Sequence, residues 1–430
     1  MNNKIKLRDL ALFVVSLIII LLPIARILII KWNNLFLLDF AAYCSVSRAL
    51  FSGNNPFPNH MEVLMVSFGK DVPIVYPGQM LLFALPSFLW GNTVQVAYLA
   101  LNILLVWVLT AWTLVRSCGY EWKDIVQPGL KQFLFAICAS CFMSSFNVMQ
   151  TMRIGQIPVV LAFCLYSIFW LKKQNYLRSI AFALIAVAKY SCLTVFAPLL
   201  FAKGHRRFCI FAFSIFVFLS ISPVFCGNNL MEVYRGYSEA VVNIFKPGSV
   251  NHYSSIGVNL CHLGFFKNVF LNQFLKVLFI CPVIWMLCRE RKTRCISDTA
   301  LLLALSVTML VSYHVLHDAT LIFPLFFIRL FAFAKEKNWL LFVITALFPV
   351  YLLVPGRIIE WFASVFGRIP HIDSIVYLSN PMWNVHYHNL YPISSVYTIL
   401  LALWSLYLYR HVNNTYCFDI DDSERLKCRS

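Results

Sequence analysis

The chain has 430 residues, of which 60% are hydrophobic, 16% aromatic and only 12% charged. About a quarter of a soluble domain is charged, so the composition excludes a soluble globular protein and fits a chain that crosses a membrane many times. The formal net charge of +17 would suit a nucleic-acid binder, but the basic residues are scattered in short clusters between apolar runs and form no single patch, which leaves them as markers of orientation.

The first apolar run, Leu10 to Ile30, is 21 residues long and rises roughly 30 Å as a helix, the thickness of a bilayer core. Lys4, Lys6 and Arg8 precede it and no small-residue cleavage site follows, so an uncleaved anchor is expected rather than a removed signal peptide. Lys and Arg then recur in clusters at residues 4–8, 116–131, 172–178, 203–207, 289–294, 335–337 and 410–429. The positive-inside rule puts every cluster in the cytoplasm, which requires an even number of crossings between each pair. Spans at about 10–30, 93–115, 131–147, 157–171, 207–226, 270–288, 298–314, 319–334, 339–355 and 390–409 meet that requirement, once two further segments are treated separately.

The first of these, residues 179–202, is too short for two full spans and has Lys189 in its middle. A pair of short helices turning near Lys189 fits, because a lysine at mid-bilayer costs about 2.5 to 3.5 kcal/mol and tends to mark a cavity. One tilted helix with Lys189 snorkelling would invert everything downstream. The second, residues 76–90, contains Pro77 and Pro86 in about 15 residues; it is short for a span and reads as a juxtamembrane or re-entrant helix on the outer side. Both termini are then cytoplasmic. The stretches 31–92, 227–269 and 356–389 are external, residues 1–410 form one integral-membrane domain, and 411–430 form a charged cytoplasmic tail. No transporter-type internal repeat stands out.

With this topology Asp39 emerges outside. Phe40, Tyr43, Cys44, Ser47, Leu50 and Phe51 form an apolar helical face, and Ala41, Ser45, Arg48 and Ser52 a more polar one, which predicts a helix lying in the interface with Asp39 at its N-cap and Gly53 at its end. Asp39 can be a helix cap only, or a carboxylate held beside a cleft as a general base. Among the 14 cysteines, Cys138 and Cys141 form a CxxC inside an apolar helix with no second pair, which favours packing over metal or redox chemistry. An Asp-x-Asp at residues 419–421 lies in the tail, on the wrong side for this chemistry. The aromatic stretch at residues 380–392 suits an interfacial belt better than sugar stacking.

The segment "DFAAYCSVSRALFSGNNPF" resembles the first external loop of glycosyltransferase family 87, in the multispanning GT-C superfamily. There, an Asp-Phe or Asp-Leu opens a helix that closes on Gly-x-x-Pro-Tyr. Further segments follow in the family's order. "VYPGQMLLFALP" resembles its Tyr-Pro-Pro segment, "RIGQIPVVLAFCL" its Gly-Gln-x-Asn segment and "IAFALIAVAKYSCLTVFAPLLFAKGHRR" its Gly-Leu-x-x-x-x-Lys hairpin. "NHYSSIGVNLCHLGF" is similar to its Asn-Gln-Ser loop and "SYHVLHDATLIFPLF" to its late Ser-x-x-x-His-Asp segment. Gly78 stands where the family has its second proline, Phe57 where it has tyrosine, Pro158 where it has asparagine and Ala186 where glycine is usual.

The resemblance implies an all-α polytopic membrane protein, a GT-C-like bundle of about 10 to 12 transmembrane helices with external juxtamembrane helices. It implies transfer of a sugar, mannose in most members, from a polyprenyl-phosphate donor to a glycolipid or glycan hydroxyl outside the cytoplasm, with inversion. Asp39 would be the base, with His314 and His317 as further catalytic groups and Asp318 orienting a histidine. Arg48, Arg153, Lys189 and Gln156 would bind the donor phosphate. No metal or cofactor is expected, because a single phosphate can be held by fixed cations and hydrogen bonds; no nucleic acid is expected either. The expected location is a bacterial plasma membrane. Each cation also has a plain structural role open to it: Arg153 as a headgroup anchor, Lys189 by snorkelling, the histidines by hydrogen bonding. A lipid or solute carrier and a polysaccharide polymerase or ligase are the competing classes; the first would show broken helices in two repeats, the second chemistry in the large external loops. A reporter fused after Asn59 is expected to read external, and a cytoplasmic signal there would place Asp39 on the wrong side for this chemistry.

Overall fold

The computed structural model describes residues 7–30, 38–57, 77–89, 91–171, 174–188, 206–244, 269–290, 295–311, 316–353, 387–413 and 415–419. Helix α1 (Leu7–Ile30) is followed by α2 (Leu38–Phe51), which has Asp39 in its first turn. A 3-10 turn, Pro77–Gln79, and the five-residue α3 (Ala84–Phe88) come next, so the proline-bearing segment expected to stay out of the membrane core forms only short pieces. Then comes α4 (Asn92–Ser117), followed by α5 (Trp122–Val126), where the Asp124 carboxylate accepts from the Glu121 backbone N–H and the Lys131 ammonium.

The run predicted as one span at 131–147 is two helices, α6 (Leu130–Ser144) and α7 (Phe146–Ile154), bent by 60°. Ser145 between them is extended, and its hydroxyl bonds the Phe142 carbonyl at 2.6 Å; a serine that pairs with its own local backbone competes with continued helix. Next, α8 (Pro158–Trp170) starts on proline, whose missing N–H is one that a first turn leaves unbonded anyway. The hairpin expected near Lys189 begins with α9 (Asn175–Ala188), which ends one residue before that lysine; residues 189–205 lie outside the described residues. Further along are α10 (Arg206–Ile221), the 3-10 turn Ser222–Cys226, α11 (Leu230–Ile244) and α12 (Val269–Glu290). Strand β1 (Cys295–Ser297), α13 (Asp298–Val311) and the 3-10 turn Leu316–Leu321 follow. The chain ends with α14 (Phe323–Lys335), α15 (Trp339–Leu353), α16 (Tyr387–His411) and β2 (Cys417–Asp419).

A helix lies at each span drawn from the sequence. Among the described residues, Leu7–Ile29, Thr93–Ser117 and Arg207–Cys226 are long and apolar enough to cross a membrane, and Leu130–Ser144 with Asn147–Arg153 makes a fourth if the bent pair is one span. Others are shorter: the 13 residues of α8 rise only about 20 Å. The count of 10 to 12 crossings is therefore not reached by helices of crossing length among the described residues.

The chain divides into two compact units. Unit 1 comprises Met1–Phe36, Val96–Phe163 and His317–Ile358. Its core joins Ala111 and Leu114 of α4 to Phe135 and Ala139 of α6, with Ile20 of α1 and Phe331 of α14 packed against them. Ala136 and Ala139 are fully enclosed, and such small residues let helices approach closely where lipid supplies no hydrophobic drive. Phe142 stacks on Phe323 with centroids 4.7 Å apart.

Unit 2 comprises Leu37–Gln95, Cys164–Leu316 and Ile359–Ser430. Here α9 and α10 pair through Ser179, whose hydroxyl donates to the Phe208 carbonyl at 3.0 Å, and through Phe182 against Phe208. Helices α13 and α16 are joined by Ser306 and Ser405, 2.9 Å apart. The segment expected as a charged tail begins as an ordered strand: β2 pairs antiparallel with β1, Phe418 opposite Ile296. The Tyr416 N–H donates to Asp298 Oδ1 and the Asp298 N–H to the Tyr416 carbonyl, both at 2.9 Å. Phe418 is 1% exposed and lies 5.1 Å from the Phe169 ring. Phe418→Ala is expected to cost about 3 kcal/mol and to lower the unfolding midpoint in detergent by several degrees; an unchanged midpoint would show that the tail is not docked.

Candidate functional site

Helix α2 is more enclosed than an interfacial helix. Phe40, Ala41, Ala42, Tyr43, Cys44, Val46, Ser47 and Leu50 are all buried, so Ala41 departs from the expected polar face, while Arg48 and Ser52 stay exposed. Asp39 lies within the first turn, not at an N-cap, and is 7% exposed. That first turn is where a helix dipole favours a negative charge. The predicted end is in place: Gly53 has φ +72, its N–H bonds the Leu50 carbonyl at 3.1 Å and the Asn54 N–H bonds the Ala49 carbonyl at 3.0 Å, the paired bonds of a Schellman motif. A Cβ on Gly53 would also come within 3.2 Å of the Cys226 carbonyl oxygen.

The Pro77–Phe88 stretch packs along this helix. The Ser47 hydroxyl donates to the Met80 carbonyl at 2.6 Å, and the Phe83 ring meets Phe40 at 5.5 Å and Tyr43 at 4.9 Å. The Arg48 guanidinium donates to the Ser87 carbonyl. Of the residues expected to bind the donor phosphate, Arg48 thus already braces α3, with further N–H groups left to it. Burial pushes the Cys44 thiol up to about 12 despite the opposing charge of Arg48, which leaves it a packing group and not a nucleophile.

Gly78, where the family has proline, is explained by its neighbours: an added Cβ would meet Val187 Cγ1 at 3.1 Å and the Leu219 carbonyl at 3.5 Å. Gln79 is 2% exposed and donates through Nε2 to the Ala188 carbonyl at 3.4 Å. Asn228 Nδ2 donates to the Leu50 carbonyl at 2.7 Å and to that of Pro223 at 3.1 Å. Unit 2 therefore ties Gln79 to the end of α9 and Arg48 to α3, with Asp39 at the opposite end of α2 from Arg48.

Unit 1 holds a second group. Arg153 and Gln156 flank Gly155, which closes α7 in the left-handed region with φ +80. The N–H groups of Gly155 and Gln156 both bond the Thr151 carbonyl at 3.0 Å. Asp318, 1% exposed, lies in the Leu316–Leu321 turn, and this turn is tied to α7 by Asn147 Nδ2 donating to Thr320 Oγ1 at 3.0 Å. The structure so joins the Arg153–Gln156 turn to the turn bearing Asp318. Lys189 and His314 lie outside the described residues, and of His317 only the backbone turn is described.

Sequence reasoning overlooked Ser47, Gln79, Tyr98, Asn147, Thr320 and Asn228. For Gln79 and Asn228 the available signal was a polar residue beside a glycine within an apolar run, as in "YPGQM" and "CGNNL"; the other four have no glycine or proline next to them. Cys138 and Cys141 are free thiols in α6, and among the described residues no group of three or more His, Cys, Asp or Glu converges.

Residues 75–324 match the model of glycosyltransferase family 87, more than half of the chain. No curated protein and no solved structure matches it. Gln79, Arg153, Gln156, Lys189, His314, His317 and Asp318 fall in the matched stretch, whereas Asp39 and Arg48 precede it and are joined to it by the Ser47, Arg48 and Asn228 hydrogen bonds. With its apolar helices and this match, the chain belongs to glycosyltransferase family 87 and is a membrane glycosyltransferase.

Proposed function

We propose that the protein transfers a sugar, mannose first among the choices, from a polyprenyl-phosphate donor to a hydroxyl of a glycolipid or glycan at the outer face of a bacterial plasma membrane. The observation that carries this reading is the family match together with a buried carboxylate, Asp39, on a helix bonded to the first matched segment.

In the proposed step the acceptor oxygen attacks the anomeric carbon as Asp39 takes its proton. The bond from that carbon to the phosphate oxygen breaks, the lipid phosphate leaves with the electron pair, and the configuration inverts. The leaving phosphate keeps its negative charge and needs fixed cationic or N–H partners. Arg48, Arg153, Lys189 and Gln156 are assigned that role, with His314 and His317 handling protons and Asp318 orienting a histidine. Arg48 suits the assignment in one respect: its side chain is held at one end by the Ser87 carbonyl, so less rotamer freedom is lost when a phosphate binds.

The test uses membranes containing the protein, radiolabelled polyprenyl-phosphate mannose and a panel of glycolipid acceptors. Asp39→Asn keeps the shape and removes the base, and is expected to lower transfer by at least about a hundredfold. Full activity in that variant would remove Asp39 from the mechanism; transfer from a nucleotide sugar instead would overturn the donor.

A further inference from the structure

Tyr98, near the start of α4, is 6% exposed, and its hydroxyl is a fastening point of the turn that carries Arg153 and Gln156. It meets the carbonyl oxygen of Gln156, and that of Thr151 at 3.4 Å. These two carbonyls lie on either side of Gly155, where the chain passes from α7 to α8. The Thr151 carbonyl also receives the Gly155 and Gln156 N–H groups, so one oxygen gathers three donors. Beyond Thr151 the bonds continue: its Oγ1 donates to the Asn147 carbonyl at 2.9 Å, and Asn147 Nδ2 donates to Thr320 two residues past Asp318. On the other side, Asn102 Nδ2 donates to the Tyr98 carbonyl at 2.8 Å.

A glycine in the left-handed region lets the chain leave α7, and two backbone bonds onto the Thr151 carbonyl close the helix end. Tyr98 adds a side-chain donor from α4 that ties this closed end to the Gln156 carbonyl, just before the Pro158 that has no N–H to give. We propose that Tyr98 is a positioning residue for donor binding, its hydroxyl fixing the Arg153–Gln156 turn so that these two side chains meet the lipid phosphate together. This rests on the donor-binding role given above to Arg153 and Gln156.

The readout is the affinity of the full chain in detergent for undecaprenyl phosphate, measured by its effect on the thermal midpoint, which needs neither the sugar nor the acceptor. Tyr98→Phe keeps the buried ring and deletes only the hydroxyl. It is expected to weaken binding about tenfold, and to add less than twofold in a chain that already carries Arg153→Met and Gln156→Leu, because residues acting through one another do not add. A Tyr98→Phe chain with wild-type affinity, whatever its midpoint, overturns the inference, as does a tenfold loss that persists in the Arg153→Met, Gln156→Leu background. If that background alone binds undecaprenyl phosphate as the wild type does, the donor-binding role of Arg153 and Gln156 falls, and the inference with it; that result is read without any change at Tyr98.

Discussion

Main-chain carbonyls freed where helices break must find a donor, and in an apolar surrounding that donor is a side chain. Each unpaired group there costs several kcal/mol, since no water is at hand to replace the lost bond. Among the described residues, side chains meet this demand near the candidate groups: Ser47 for Met80, Arg48 for Ser87, Gln79 for Ala188 and Tyr98 for Gln156, while Asn228 adds a donor to the Leu50 and Pro223 carbonyls that backbone N–H groups already reach. Such breaks suit the proposed site, because a carboxylate and a phosphate-binding cation are better displayed by short helices and turns than by the walls of an uninterrupted span.

The same demand decides where glycine is tolerated. Gly53 and Gly155 end α2 and α7 in the left-handed region, and the next residues turn their N–H groups back onto the last carbonyls. Gly78 answers a different need: it has no positive φ, but a Cβ there would press on the Val187 methyl at 3.1 Å. A larger residue at that position, such as the proline of the family pattern, would require the Val187 side chain to shift.

Much of this was legible in the sequence, and for physical reasons. A helix lies at every drawn span because apolar runs of that length admit few alternatives, and the end of α2 follows from Gly53 because glycine suits a left-handed helix end, whereas Asp39 falls inside the first turn and not at the N-cap. The break at Ser145 was not legible: its local bond to Phe142 differs in no sequence feature from the many serines that sit within intact helices, such as Ser306 and Ser405. Gln79 and Tyr98 were missed for a related reason. A single polar residue in an apolar run shows that some partner is needed, but the partner lies 109 residues away for Gln79 and 58 for Tyr98. The enclosure of α2 depends likewise on Phe83 and Asn228, far off in the chain.

The small sheet adds a constraint on topology that charge counting does not supply. Because Cys295 pairs with Asp419 and Ser297 with Cys417, the start of α13 and the end of α16 must lie on one side of the membrane. The chain between them therefore makes an even number of crossings, whatever the lengths of its helices. The basic-cluster rule reaches the same parity from Arg289, Arg291, Lys292 and Arg294 on one side of this stretch and Arg410 on the other. Among the described helices, a topology that dropped one of α13, α14, α15 or α16 as a crossing would break that parity unless a second crossing changed with it. The sheet fixes parity alone; the expectation that Asp39, after the first span, lies at the outer face rests on the charges.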